Sequence, residues 1–161
     1  MVQQDLKLKS LKALQGQLWK SGYEKGTLKG HVYSDFVSML HWTQAHGIQV
    51  HIYSSGSVQA HKLLFGYSIH GDLMEFLHDH FDISTSGNKK ESTSYTKIAR
   101  DLGVSPSAIV FCSDAEAELT AARQAGIGHT VMSIRPGNAP LTAHARKAYP
   151  QFFSLMQLCG M

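Results

Sequence analysis

The stretch Ile48-Gln-Val-His-Ile-Tyr-Ser-Ser-Gly-Ser57 decides the fold. Ile48, Val50 and Ile52 alternate with polar or amphipathic residues, which is the period of a strand. Tyr53-Ser-Ser-Gly56 breaks that period. Ser57 is placed to N-cap a helix from Val58, whose apolar Leu63, Leu64 and Phe65 follow. Strand, hydroxyl-rich turn and helix start together make a place to hold an oxyanion. Free backbone N–H groups, the positive end of the helix dipole and the hydroxyls of Ser54 and Ser55 all point at the turn. The same residues also suffice as a plain turn and cap.

Upstream, Ser34 is the expected cap of a helix carrying Phe36, Met39, Leu40 and Thr43, stopped at Gly47. Before it, residues 3–20 read as a helix with a Leu11, Leu14, Leu18 stripe, and Gly22, Gly26 and Gly30 mark a boundary. Downstream, residues 71–80 read as a short helix or loop and 81–85 as a short strand. Tyr95, Ile98, Ala99 and Leu102 are spaced for a helix that ends at Gly103. Ile109-Val-Phe-Cys112 is a continuous apolar run, as in a strand buried on both faces. Ala117, Ala121, Ala122 and Ala125 belong to a helix closed by Gly126. Residues 130–134 form another strand, and Phe152, Phe153, Leu155 and Met156 belong to a last helix. From residue 31 onward strand and helix alternate, the pattern of a Rossmann-like α/β fold: a parallel sheet wrapped by helices. Ligands in such sheets bind beyond the carboxyl ends of the strands, where Ser54-Ser55, Lys89 and Asp114 fall.

The totals bound the function. A chain of 161 residues with 43% hydrophobic and 17% charged residues makes an ordinary globular domain with its own core. Its net charge is +3, and no basic run is longer than Lys89-Lys90, so neither nucleic acid nor a membrane surface is an expected partner. Cys112 and Cys159 have no metal or redox spacing, which suits a reducing compartment. No apolar run approaches membrane-spanning length and no signal peptide precedes the first helix, so the chain is expected to be cytoplasmic.

Three positions can carry chemistry. Asp114 follows the apolar run beside Ser113, where a carboxylate can bind a hard cation; Glu118, one helical turn on, can be a second ligand or orient one. Capping by Ser113 or Asp114, with Glu118 as a first-turn acid, accounts for the same residues. Lys89 can neutralise a phosphate, or stand as a solvated loop lysine with Lys90 beside it. His78-Asp79-His80 lacks metal-ligand spacing and reads as a polar loop. No Ser/His/Asp order or Cys/His pair is present, and His41, His46 and His51 do not share a face.

Ser54-Ser55, Lys89 and Asp114, in that order, resemble the haloacid dehalogenase superfamily of phosphotransfer enzymes. Within it the chain is most similar to the enolase-phosphatases (acireductone synthases) of methionine salvage. The likeness runs through Leu11-Lys-Ala-Leu-Gln-Gly16, Gly30-His-Val-Tyr33, Tyr53-Ser-Ser-Gly-Ser-Val58, Lys62-Leu-Leu-Phe-Gly66, Ser113-Asp114, Glu118-Leu119 and Arg135-Pro-Gly-Asn138. It implies a Rossmann-like core with a helical cap and conversion of 2,3-diketo-5-methylthiopentyl-1-phosphate to acireductone. The diketone is enolised with the help of Mg²⁺ and the phosphate is then cleaved. Ser54 or Ser55 would bind the phosphoryl group by hydroxyl and backbone N–H, Lys89 would offset its charge, and Asp114 would be an Mg²⁺ ligand.

One departure is large. The superfamily's nucleophile is an aspartate at the end of a first strand, and no Asp-x-Asp or Asp-x-Glu-Gly occurs here; Asp5 and Asp35 follow no apolar strand. The expectation is therefore that residues 1–29 are the last part of a helical cap and 30–161 a core without its first strand. The missing strand belongs between the strands at 48–53 and 108–112. Family resemblance implies a monomer, but this chain is expected to be inactive alone and prone to associate through exposed strand edges. The alternative is a non-catalytic, phosphate- or partner-binding descendant. A nucleotide-binding regulatory domain has only the general α/β pattern in its favour, since no Gly-x-Gly-x-x-Gly appears.

Overall fold

The structure, a computed structural model, describes Leu14 and residues 16–160. A helix α1 runs to residue 24. It is followed by α2 (Ser34–Ala45), β1 (Val50–Tyr53), α3 (Val58–Gly66), β2 (Leu77–Phe81), α4 (Ile83–Ser86) and α5 (Ser92–Leu102). Then come β3 (Val110–Ser113), α6 (Glu116–Gln124), β4 (His129–Ser133), α7 (Ala143–Ala148) and β5 (Gln151–Phe152), with short 3₁₀ turns at Met74–Phe76, Pro106–Ala108 and Leu155–Leu158. The helix expected over 3–20 lies mostly outside the described residues, and its visible part continues four residues further.

The chain divides into two compact units. The first holds residues up to Val50 together with Val58–His80; the second holds His51–Ser57 and everything from Phe81. In the first unit α2 buries Met39, Leu40 and Thr43, one helical face as the spacing predicts, and Thr43 returns its hydroxyl to the Leu40 carbonyl at 2.9 Å. Ser34 is not its cap; Tyr33 holds that place with no side-chain bond. Val32, Leu73, Phe76 and Leu77 are buried in the same unit. Gly30 is required where it stands: its backbone bonds Tyr67 and Ile69, and a Cβ would fall 2.0 Å from the Leu64 carbonyl oxygen.

The second unit carries the three-stranded sheet, in order β3-β4-β5, all parallel. Val110 pairs with His129 and Ser113 with Met132, while Met132 meets Gln151 across the next pair. Apolar runs make these strands and alanine-rich α6 packs onto them. Leu119, Met132, Ala145 and Tyr149 form one cluster, and Tyr95, Ala121, Ala122 and Ile127 another, with Phe111 packed against both. Leu119 and Met132 are fully enclosed, each contributing about 1.5–3 kcal/mol of burial.

Several expectations change. The strand from residue 48 begins at Val50. Residues 77–81 form strand where loop or short helix was expected: Leu77 and Phe81 are buried, His78 and Asp79 are exposed and His80 is partly buried. The strand expected over 81–85 is instead α4, because Asp82 accepts the N–H groups of Ser84 and Thr85 while its own N–H is bonded by Thr85 Oγ1. The tail is not a helix at Phe152. Gln151 and Phe152 join the sheet, and Ser154 and Gln157 form a capping box for the 3₁₀ turn. The run at 109–112 is also less buried than its composition predicts: β3 is an edge strand among the described residues, and Val110 is 52% exposed.

Candidate active site

The candidate residues all fall in the second unit. Ser54 ends β1. Its N–H donates to the Phe81 carbonyl at 3.1 Å, and its Oγ accepts the Gly56 N–H at 3.2 Å. The Ser54 hydroxyl proton therefore remains the donor this residue can offer a ligand. Ser55 is exposed.

Lys89 is not a solvated loop lysine. Its side chain is 18% exposed, and its ammonium lies 2.6 Å from Glu118 Oε2, itself on a side chain 15% exposed. The same carboxylate oxygen accepts the Ser113 hydroxyl at 2.7 Å, and Ser113 Oγ accepts the Ala115 N–H. The ammonium also lies 5.6 Å from the centre of the Tyr53 ring, the residue before Ser54. One chain of contacts thus links Ser54, through Tyr53, to Lys89, Glu118 and Ser113, the neighbour of Asp114. Lys90 is exposed, and its N–H is tied to Asn88 Oδ1 at 3.0 Å.

Asp114 is exposed. Its Oδ2 accepts Asn138 Nδ2 at 3.0 Å, and Asn138 is itself fixed by accepting the Arg135 N–H at 2.7 Å. Neither Ser113 nor Asp114 caps α6; Ala115 occupies that position. For a hard cation, the donor present is one exposed carboxylate, that of Asp114, with Oδ2 already bonded by Asn138. Glu118 is engaged by Lys89 and Ser113. Among the described residues no three His, Cys, Asp or Glu side chains gather in a metal-holding cluster. This donor set fits a magnesium ion only when substrate oxygens, water and at least one further carboxylate complete the shell. His78, Asp79 and His80 lie on β2 rather than in a loop.

Cys112, one residue before Ser113, is no nucleophile. Burial pushes its thiol up to about 11, so it stays protonated at neutral pH. Burial also raises the Tyr53 and Tyr95 hydroxyls, with the Glu118 carboxylate adding to both effects. Both phenols therefore act as hydrogen-bond donors over the working pH range. Tyr95 was legible only as an apolar helix position. Its partner is a backbone carbonyl, which leaves no mark in the sequence.

Residues 5–126 match the model of the haloacid dehalogenase-like hydrolases. The chain is 49% identical over 151 residues to the enolase-phosphatase E1 of Drosophila mojavensis, covering 93% of this chain and 59% of that protein. It is 46% identical over 157 residues to the enolase-phosphatase E1 of Caenorhabditis elegans, covering 98% and 62%. The UTR4 protein of Saccharomyces cerevisiae has a similar structure, with a TM-score of 0.80 at 41% identity over 89% of this chain and 65% of that one. The chain thus spans about three-fifths of the length of the curated relatives it matches. The family match, the parallel sheet and the polar groups gathered at its strand ends agree: this chain belongs to the haloacid dehalogenase-like hydrolases.

Proposed function

We propose that this chain is the phosphate-binding and magnesium-binding part of an enolase-phosphatase, acting on 2,3-diketo-5-methylthiopentyl-1-phosphate to give acireductone. The observation that carries this reading is the Lys89–Glu118–Ser113 network. It holds an ammonium in a fixed, largely enclosed place next to the β1 turn. One of the three ammonium N–H groups faces Glu118, which leaves two for phosphoryl oxygens. The Ser54 hydroxyl and the Ser55 N–H would add donors to the same dianion, since the Ser54 N–H already bonds Phe81. Donors fixed before the ligand arrives stabilise charge as it develops on the phosphoryl oxygens. Asp114, oriented by Asn138, would hold the magnesium ion. Bound there, the ion supplies a Lewis acid for the carbonyl and phosphoryl oxygens.

The nucleophilic aspartate and its acid partner are, in this proposal, contributed by a strand outside residues 1–161 that seats against β3. Support comes from the absence of any Asp-x-Asp pattern in the sequence and from the edge position of β3 among the described residues. A cytoplasmic location is consistent with the absence, among the described residues, of a helix long and apolar enough to cross a membrane.

The test is phosphate release from an aryl phosphate by residues 1–161, with and without Mg²⁺, beside Asp114→Asn. No turnover is expected from 1–161 alone. Addition of the N-terminal segment of a longer relative is expected to give Mg²⁺-dependent turnover that Asp114→Asn abolishes. Turnover by 1–161 alone would place a nucleophile within this chain and overturn the strand proposal. Phosphate binding with no turnover under any addition would favour a non-catalytic descendant.

A further inference from the structure

The segment that carries Lys89 has no regular secondary structure of its own, yet its backbone is held at three successive points. The carbonyl of Gly87 accepts the Tyr53 hydroxyl at 2.9 Å. The carbonyl of Asn88 accepts the Ser94 hydroxyl at 2.7 Å, and that of Lys89 the Tyr95 hydroxyl at 2.7 Å. Ser94 and Tyr95 are each 2% exposed, so these bonds are shielded from competing water. The hydroxyls come from two elements, β1 and α5, and the Tyr53 and Tyr95 rings meet edge to face with centroids 5.6 Å apart. Tyr95 in turn packs edge-on against Phe111 of β3 at 4.9 Å. Gly87 has φ +98°, and a Cβ there would lie 2.8 Å from Ser94 Oγ, so the loop fits its clamp only with glycine at that point.

We propose that Tyr53, Ser94 and Tyr95 are positioning residues whose hydroxyls fix the Gly87–Lys89 backbone so that the Lys89 ammonium is presented to the phosphoryl group. The inference rests on the phosphate role given to Lys89 above and extends it to residues whose hydroxyls bond the loop backbone. Because all three partners are carbonyls of one short loop, losing one hydroxyl lets that loop relax while the sheet and α5 keep their apolar contacts. The effect therefore falls on the aim of the lysine more than on the fold.

Two readouts separate this from a merely structural role. The first is the rate of Lys89 acylation by acetic anhydride, followed by mass spectrometry with exposed Lys62 as the internal reference. The second is the affinity for inorganic phosphate, measured by calorimetry. Tyr95→Phe and Ser94→Ala, each removing one hydroxyl, are expected to speed Lys89 acylation about threefold or more and to weaken phosphate binding about three- to tenfold, the effect of one hydrogen bond. In a Lys89→Met background Tyr95→Phe is expected to cause no further loss of phosphate affinity. Gly87→Ala is expected to act like Ser94→Ala.

Unchanged Lys89 acylation and phosphate affinity in Tyr95→Phe and Ser94→Ala, with only a lowered Tm, would overturn the clamp. So would an equal loss of affinity with and without Lys89. If Lys89→Met leaves phosphate affinity intact, the phosphate role of Lys89 fails, and the acylation rates still decide whether the hydroxyls hold the lysine.

Discussion

Lys89 and Asp114 stand at two corners of the same candidate site and are built differently. The lysine corner is enclosed. Its charge is matched by Glu118, its loop carries three hydroxyl bonds and its ammonium lies over an aromatic ring. The aspartate corner is open, with one side-chain bond, from Asn138, to an exposed carboxylate. On the proposed reading, the anion-binding half would be organised by residues of this chain, whereas the cation-binding half would need oxygens from elsewhere. Phosphate is recognised by fixed donors, and those can be preset. A magnesium ion needs six oxygens, and one carboxylate does not preset them.

The largest effect tests the enclosed corner. Lys89→Met leaves the Glu118 carboxylate enclosed without its cation, with an expected loss of about 2–3 kcal/mol, below the usual figure for a fully buried pair because both side chains keep some solvent contact. Adding Glu118→Gln removes the orphaned charge and is expected to recover most of that loss, as urea denaturation of the three variants would show. If the single substitution is neutral, Lys89 and Glu118 are not a coupled pair in solution.

Gly87→Ala comes next. Its backbone, at φ +98° and ψ −166°, costs a residue with a Cβ about 1–3 kcal/mol, before the crowding against Ser94 Oγ. Thermal unfolding would measure this, and an unchanged Tm would mean that the loop adopts another backbone path.

Asn138→Ala sharpens the contrast from the open side. The bond it removes is exposed, so stability is expected to change by less than about 1 kcal/mol. Mg²⁺ affinity measured in the presence of phosphate is expected to fall, because Asp114 loses its orienting partner. A large loss of stability with unchanged Mg²⁺ affinity would make Asn138 a fold residue only.

The smallest effect concerns Glu116, which accepts the Thr142 hydroxyl at 2.7 Å and pairs with His144. The hydroxyl and the imidazole hold its carboxyl below the ordinary carboxylate range. A depressed carboxyl contributes stability above its unfolded pKa, near 4.3, and loses it as pH falls through the lower folded value. Wild type should therefore lose stability more steeply than Glu116→Gln as the pH drops below about 4.3. Parallel acid-unfolding curves would remove Glu116 from this role.

The periodicity of α2, α5 and α6 and the strand before Ser54 were legible because each is written locally, in apolar spacing and closing glycines. Residues 77–81 and the tail were misread for one reason. His78, Asp79 and His80 lie between buried Leu77 and Phe81, and Gln151-Phe152 is too short to show a period, so tertiary pairing decided what the local pattern left open. Ser54, Ser55, Lys89 and Asp114 were visible as polar residues at strand ends. The Lys89–Glu118 pair was not, because it joins residues 29 apart by a contact that only packing creates. The hydroxyl clamp was hidden for the further reason that its acceptors are carbonyls, which every residue has.

The most direct measurement of the contrast between the two corners is a calorimetric titration of residues 1–161 with inorganic phosphate, first without and then with Mg²⁺, beside Lys89→Met. Phosphate should bind without the metal and lose that binding in Lys89→Met, while Mg²⁺ added alone should bind weakly. Phosphate binding that appears only after Mg²⁺, or that survives Lys89→Met, would show that the enclosed corner is not the preset half.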